Sequence, residues 1–389
     1  MVTVGLEMLL ADASKKYGGK RIGYLSNQAS TTRELVHGRI PLQQKFGDRL
    51  TCLFSPQHGF FSEKQDNMVE SDHEVDGVTG LTVFSLYGEH RKPTTEMFDQ
   101  LDILLFDLVD VGTRVYTFMY TMAYCLEAAA ASDKKVVILD RPNPVGGVDV
   151  EGNILRSDCS SFVGLYPLPM RHGLTLGEIA LYINSEFSIG AELEVIPAKG
   201  WNRAQLGRTI DFPWVSPSPN MPTPETALVY PGQVIWEGTN VSEGRGTTMP
   251  FEFFGAPYFD HETVLKQMRN TALPGCCLRP VAFLPTSGKW AGELCKGFQI
   301  HVTDRNTFMP YRTSLALLQA AILGFPEDFE YKKPPYEYEF ERLPMDLILG
   351  DSSLRSALEE GAPVMELEQG WMAELDRFDQ RRRAYFLYT

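Results

Sequence analysis

The first half of the chain alternates short apolar runs with helical segments, and this alternation constrains the fold more than any other feature. Runs of strand length lie in KRIGYLSNQAS, RLTCLFSPQHG, LTVFSLYG, DILLFDLVDVG and KKVVILDRPNP. Helical patterns lie in RELVHGRIPLQQKFG, PTTEMFDQL and YTFMYTMAYCLEAAAASD. A run as uniformly apolar as DILLFDLVDVG is typical of a central parallel strand that is covered on both faces. The alternation therefore predicts an α/β protein with a doubly wound parallel sheet.

The character of the sequence changes after about residue 205. FPWVSPSPNMPTPETALVYPG is too rich in proline for a regular helix or a central strand, and WEGTNVSEGRGTTMPFEFFGAP is rich in glycine. Further on, the strand pattern KGFQIHVTD and the helix patterns TSLALLQAAILG and MAELDRFDQRRRAYF indicate a smaller α+β domain. Because 389 residues exceed one ordinary core, we expect two domains, residues 1–232 and 233–389.

Composition narrows the classes of partner. A formal net charge of −14 argues against nucleic acid, which requires a cationic surface. No stretch is long enough to span a membrane, and the N-terminus lacks the pattern of a signal peptide. The six cysteines form no CxxC pair, which favours buried thiols in a reducing compartment. We expect a cytoplasmic protein, or a periplasmic or secreted one if a signal peptide has been removed; the oligomeric state stays open.

Polar segments follow the predicted strands at the points where the strands end. These segments are SNQAS, SPQHG, SLYGE, DLVDVGTR and DRPNP. In doubly wound sheets, ligands bind outside the carboxyl ends of the strands. The topology therefore predicts a binding site built from these loops.

Several kinds of chemistry lack their motifs. Neither GxGxxG nor GxxxxGK[ST] is present, so we expect no nucleotide cofactor. Asp107, Asp110 and His58 could be considered as metal ligands, but two residues three positions apart in a strand point to opposite faces. Without HExxH or a close histidine pair, structural roles are favoured and no metal is expected. The absence of GxSxG argues against a serine hydrolase.

Carbohydrate chemistry fits the strand-end loops better. Sugar sites combine aromatic side chains with amide, carboxyl, guanidinium and imidazole groups, and hydrolysis adds a pair of carboxyl groups. Glu89, Asp110, Glu237 and Glu243 are available acids. By composition alone, an equally good interpretation is that Glu243 and Arg245 tie down a glycine-rich loop.

A longer series of motifs resembles one known family. It comprises PQHG, SLYGE, DVGTRVYT, LDRPNPVGG, EGNIL, SFVGLYPLPMRHGLTLGE, PSPNMPT, YPG, EGTNVSEGRGTTMPFEFFGAP and HVTDR. From about residue 20 to the C-terminus the chain is similar to the NamZ family of bacterial exo-acting β-N-acetylmuramidases. The resemblance implies a Rossmann-like N-terminal domain, a smaller C-terminal domain and a cleft between them. It also implies release of N-acetylmuramic acid from the non-reducing ends of peptidoglycan fragments, with no nucleotide cofactor.

The chain departs from the family pattern at two positions. The resemblance implies Pro-Glu-His-Gly, with the glutamate as the proposed catalytic residue, where this chain has Gln57. It also implies the usual Asp-Ile-Gln-Asp-Val-Gly where this chain has Val109. An amide can hydrogen-bond a sugar, but it cannot protonate a glycosidic oxygen. An introduced substitution would explain Gln57 but not Val109, whereas a non-catalytic homologue that binds muropeptides or sugars would explain both. The third hypothesis is an active enzyme that uses another acid, Glu63, Asp110 or Glu243.

The remaining family positions define the predicted site. The predicted catalytic set is Gln57, His58, Asp110 and Glu243, and the predicted substrate-binding set is Asn27, Glu89, Arg114, Tyr116, Asn143, Asn220 and Arg245. The resemblance suggests Arg114 for the lactyl carboxylate of muramic acid, since a guanidinium fork matches a carboxylate. For Asp140 and Arg141 we expect a structural role in a salt-bridged turn.

Overall fold

The computed structural model describes residues 1–13, 16–65, 68–269 and 271–389, and within these ranges ten strands form two sheets. The strands of the large sheet are β1 Ile22–Ser26, β2 Leu50–Ser55, β3 Glu74–Val75, β4 Thr82–Ser85, β5 Ile103–Asp107, β6 Lys135–Leu139 and β7 Glu192–Ile196. The strands of the small sheet are β8 Phe253–Ala256, β9 Cys276–Phe283 and β10 Cys295–Val302.

Eleven α-helices lie in the same ranges. They are α1 Gly5–Ala11, α2 Arg39–Phe46, α3 Thr95–Phe98, α4 Phe118–Ser132, α5 Leu176–Glu186, α6 Pro224–Gln233, α7 His261–Gln267, α8 Pro310–Gly324, α9 Pro344–Leu349, α10 Ser352–Glu359 and α11 Val364–Arg382. Short 3-10 segments lie at Gly47–Arg49, Ser157–Cys159, Gly207–Thr209, Val234–Gly238 and Arg383–Tyr385. None of the helices in the described ranges is both long and apolar enough to cross a bilayer.

The large sheet has the strand order β3-β4-β2-β1-β5-β6-β7 and is parallel except for the edge strand β3. The chain winds outward from β1 in both directions, so the order reverses beside β1. This arrangement confirms the predicted doubly wound, Rossmann-like sheet. The reversal places a crevice at the carboxyl ends of the central strands, where such folds bind ligands.

Alternation along the strands explains how both faces of the sheet become covered. In β5, Leu104 and Phe106 pack into the core that contains α4 and α5, whereas Ile103 and Leu105 pack into the core that contains α1 and α2. Successive side chains of a strand point to opposite faces, so an all-apolar strand fits between two helical layers. The apolar run seen in the sequence is therefore the centre of the fold.

The second half of the chain builds a smaller layer on the first core. The antiparallel sheet β8-β10-β9, the 3-10 segment after α6 and the helix α8 contribute Trp236, Phe254, Phe298 and Leu315 to the cluster that contains α4. This smaller α+β part agrees with the predicted fold class. The loop between α8 and α9, residues 325–343, turns back towards the carboxyl ends of the large sheet.

Two predictions of helices need correction. Helix α2 begins at Arg39 rather than near residue 33, because the preceding residues form turns in which Leu35 has a φ of 61°. The proline-rich segment was expected to lack a regular helix, but α6 occupies its second half. Pro224 stands at the start of α6, where the missing N–H costs nothing, and the Thr223 side chain caps the helix by accepting from the Thr226 N–H.

Candidate active site

A cavity lies beyond the carboxyl end of β2, with about 480 Å³ of empty space that includes its open mouth. Its lining comes from the loop after β2, the start of α4, the loops on either side of α6 and the loop between α8 and α9. The polar side chains of the lining are Gln57, His58, Tyr116, Thr117, Ser218, Asn220, Tyr230, Glu237, Arg245, Tyr336 and Glu337. The cavity thus combines aromatic, amide, carboxyl and guanidinium groups, as a sugar site requires.

Gln57 is held at the buried end of this cavity by hydrogen bonds on both sides of its amide. Its Nε2 donates to Glu337 Oε1 over 2.9 Å and to Tyr87 Oη over 3.1 Å. The Thr117 hydroxyl donates to Gln57 Oε1. Because two acceptors lie on one side of the amide and a donor lies on the other, the amide has one favourable orientation, with its nitrogen towards the carboxyl group of Glu337.

Glu337 is a site residue that the sequence analysis missed. Its side chain is buried, with the residue 2 % exposed, and Tyr87 Oη donates to its Oε2 over 2.6 Å. Burial raises the pKa of Glu337 from 4.5 to about 7, although the hydrogen bonds from Tyr87 and Gln57 act in the opposite direction. An acid with this pKa carries a proton on many molecules near neutral pH. The available signal in the sequence was the segment YEYEF, whose alternation has the two-residue period of a strand, whereas the structure places it in a loop.

Charged side chains of alternating sign form a second network beside the hydrogen bonds of Gln57 and Glu337. Lys289 Nζ lies 2.8 Å from Glu243 Oε2, and Arg245 Nε lies 3.2 Å from Glu243 Oε1. Arg245 Nη2 lies 2.5 Å from Glu237 Oε1, and Tyr336 Oη donates to Glu237 Oε2 over 2.7 Å. Burial would favour the neutral acid, but the charges of Lys289 and Arg245 outweigh it and lower the pKa of Glu243. Glu243 lies behind Arg245 and orients it, while Glu237 and Arg245 line the cavity.

The loop after β2 turns sharply at His58, whose φ is 73°, and at Gly59, whose φ is 85°. His58 lines the cavity, and its Nδ1 is 2.7 Å from the carbonyl oxygen of Lys64. The carboxyl group of Glu63 lies against Gly59 and accepts from the backbone of Phe61. Glu63, one of the predicted alternative acids, is therefore turned into its own loop and does not line the cavity.

Arg114 lies away from the cavity. Its side chain is fully buried and donates to four backbone carbonyl groups, those of Asn153, Leu168, Ile348 and Leu349. A guanidinium group whose donors are used in this way cannot also bind a substrate carboxylate. The role predicted for Arg114 does not fit this placement, and Arg114 instead ties the loop after β5 to the end of α9.

Four further predicted residues lie outside the lining. Asn27, Asn143 and Asp110 are buried and bond to backbone groups of the strand-end loops. They shape the loops that carry the site. Glu89 is turned to solvent, with 90 % of its side chain exposed, because the chain leaves the sheet after β4. The structure thus brings together Gln57, His58, Tyr116, Asn220 and Arg245 of the predicted set.

Two other predictions concern the turn after β6. Arg141 pairs with Asp107, its Nε 2.5 Å from the carboxylate, whereas Asp140 bonds to Thr175, Gly177 and Tyr388. Both side chains are therefore structural, but they are not paired with each other. Val109, where the resemblance predicts a glutamine, lines a separate apolar cavity and not the one that holds Gln57.

Fold and site together define an α/β enzyme whose polar cavity lies at the carboxyl end of a doubly wound sheet. Family models described as exo-β-N-acetylmuramidase NamZ, N-terminal and C-terminal, match residues 22–225 and 228–388. The chain belongs to this NamZ family.

Known proteins similar to this chain include one curated relative and two solved structures. Over 387 residues the chain is 41% identical to the peptidoglycan β-N-acetylmuramidase NamZ of Bacillus subtilis (strain 168), covering 100% of this chain and 91% of that one. Two crystal structures of DUF1343 family proteins from Bacteroides fragilis NCTC 9343 superpose with TM-scores of 0.88 and 0.78. Each is 30% identical, and the match covers 100% of this chain and 99% of each of theirs.

Proposed function

We propose that this chain is an exo-acting β-N-acetylmuramidase, which hydrolyses the bond between a terminal N-acetylmuramic acid and the rest of a peptidoglycan fragment. Membership of the NamZ family and the name of the Bacillus relative support this activity. Hydrolysis consumes only water, so the reaction needs no nucleotide.

The shape of the cavity is the observation that carries the exo-acting part of the proposal. Its deep end consists of buried side chains, among them Gln57, Glu237 and Glu337. At the other end it shares Asn220 and Arg245 with a wider groove that has about 1680 Å³ of empty space. We infer that a sugar chain enters the cavity from the groove and stops against these buried side chains. Such a site accepts the end of a chain rather than its middle.

Arg245, itself one of the predicted substrate-binding residues, suits the lactyl carboxylate better than the fully buried Arg114, because its guanidinium group lines the cavity although it is also paired with Glu237 and Glu243. It is the guanidinium group of the lining and stands where the cavity meets the groove. The lactyl group of muramic acid carries a carboxylate, and N-acetylglucosamine has none. A guanidinium group at the entrance, with the amide of Asn220 beside it, favours the acidic sugar.

The test is release of the terminal sugar from a defined disaccharide. Purified protein is incubated with N-acetylmuramic acid β-linked to N-acetylglucosamine, and the products are followed by mass spectrometry. We expect free N-acetylmuramic acid, and no cleavage of the control disaccharide in which the two sugars are reversed. Protein that binds the first disaccharide and releases nothing would show a sugar-binding homologue instead.

A further inference from the structure

Gln57 cannot supply a proton, yet the cavity holds another carboxyl group in direct contact with it. Glu337 Oε1 accepts from the amide of Gln57, and Glu337 Oε2 accepts from the hydroxyl of Tyr87. Glu337 also lines the cavity. The place where the family pattern puts a glutamate is thus next to a different glutamate, which comes from a segment 280 residues further along the chain.

We propose that Glu337 is the catalytic acid of this chain, with Gln57 and Tyr87 as the positioning residues that aim its carboxyl group into the cavity. The assignment rests on the proposed glycosidase function and names the residue that performs its chemical step.

The hydrolysis step requires no reactant other than water. The proton of the Glu337 carboxyl group moves to the glycosidic oxygen as the bond between this oxygen and the anomeric carbon breaks. The bonding electron pair leaves with the oxygen, and the departing sugar is released as an alcohol. Water then bonds to the anomeric carbon and loses a proton to the solvent, and the Glu337 carboxylate regains its proton from the solvent, which restores the acid.

The other carboxyl groups near the cavity are engaged differently. Glu237 is bound through one oxygen to Arg245 and through the other to the hydroxyl of Tyr336. Glu243 is bound to two cations, Lys289 and Arg245, and does not line the cavity. A neighbouring cation favours the charged form of a carboxyl group, whereas the partners of Glu337 that the structure records are a neutral amide and a phenol.

The surroundings of Glu337 keep it protonated over a useful range of pH. The titratable and charged side chains that act on it are Tyr87, Arg91, Tyr230, Glu237, Tyr336 and Tyr338, and His58 lines the same cavity. Burial is the largest influence, and it raises the pKa of Glu337 to about 7. A general acid works best when its pKa lies near the working pH.

The identity of residue 57 changes how this acid titrates. A glutamate there would bring two carboxyl groups into contact, and such a pair shares one proton. With Gln57 in place, the amide donates to Glu337 and has no proton to lose. Glu337 therefore titrates without a coupled neighbour at this position.

The test compares Glu337→Gln with Glu341→Gln, the same change at an exposed position four residues further on. Two substrates are used: the disaccharide described above and para-nitrophenyl β-N-acetylmuramide, whose leaving group needs no proton. For E337Q we expect kcat on the disaccharide to fall about 1,000-fold with KM little changed, because general acid catalysis contributes roughly 100- to 10,000-fold. The loss on the nitrophenyl substrate should stay below about tenfold, and E341Q should match the wild type on both.

Each other outcome overturns the assignment. Wild-type kcat of E337Q on the disaccharide, or an equal loss on both substrates, removes Glu337 as the acid while the proposed function stands. If the wild-type protein hydrolyses neither substrate, the proposed function fails and the assignment fails with it.

Tyr87→Phe provides a second test that does not depend on the folding of E337Q. Removing the phenol removes a hydrogen bond that lowers the pKa of Glu337. The fall of kcat at alkaline pH, which reports loss of the acid's proton, should therefore move to higher pH. An unmoved alkaline limb in an active Y87F enzyme would overturn the assignment.

Discussion

The buried carboxyl group of Glu337 makes the stability of the fold depend on pH, and Glu337→Gln should remove that dependence. The pKa of Glu337 is about 7 in the folded protein against 4.5 as the ordinary value. A carboxyl group with a raised pKa holds its proton more tightly in the folded state than in the unfolded state. The favourable contribution of this group to the free energy of unfolding is fully present below the pKa of the unfolded state. It is lost as the pH rises through the pKa of the folded state.

The size of the effect follows from the two pKa values. A difference of about 2.5 units, at 1.36 kcal/mol for each unit, corresponds to about 3 kcal/mol between acid and alkaline conditions. The side chain is buried, so solvent screening does not reduce this figure. E337Q should also lose about 1 kcal/mol of unfolding free energy at every pH. The NH2 end of the new amide faces the Tyr87 hydroxyl, which donates at this position in the wild type, so two donors meet.

Urea unfolding of the wild type and of E337Q, measured from about pH 4.5 to 8.5, tests the reasoning. We expect E337Q to be less stable by about 1 kcal/mol at the acid end and more stable by about 2 kcal/mol at the alkaline end. Other buried acids such as Asp140 and Glu151, whose pKa values are also raised, titrate in both proteins and cancel in the difference. A difference in free energy of unfolding that stays constant with pH would refute the argument.

Two further predictions concern residues that the structure moves out of the binding site. Arg114→Met should lower the free energy of unfolding by more than about 3 kcal/mol, because four buried carbonyl groups lose charged donors, and urea unfolding measures this. A loss below about 1 kcal/mol would mean that water replaces the guanidinium group. Glu89→Gln should leave kcat/KM unchanged and stability within about 0.5 kcal/mol, because the side chain is exposed. A clear loss of activity in E89Q would show that the substrate reaches further along the surface.

The parallel sheet and the position of the cavity could be predicted because they depend on local patterns. An apolar run long enough for a strand and the polar loop after it place Gln57 and His58 at the carboxyl end of β2, whatever the details of packing. The direction of a side chain depends on packing. Arg114 follows a central strand just as the site residues do, but its partners include carbonyl groups 234 and 235 positions away, which no local pattern reveals.

Glu337 could not be found for a related reason. Its segment alternates with the period of a strand but forms a loop, and its importance comes from contact with a residue in a distant part of the chain. Charge and residue type marked Glu243 as strongly as Glu337. The two differ in their partners: Glu243 is paired with cations, whereas Glu337 contacts an amide and a phenol.

The contact between Gln57 and Glu337 also bears on how the chain folds while it is being synthesised. The ribosome completes the sheet that carries Gln57 long before residue 337 emerges, and N-terminal units generally fold first. A carboxylate at position 57 would lie in a forming pocket before Glu337 is present, and burial of an unpaired charge is unfavourable. The neutral amide carries no such cost, so the nascent sheet can close around it while the loop that brings the acid is still being synthesised.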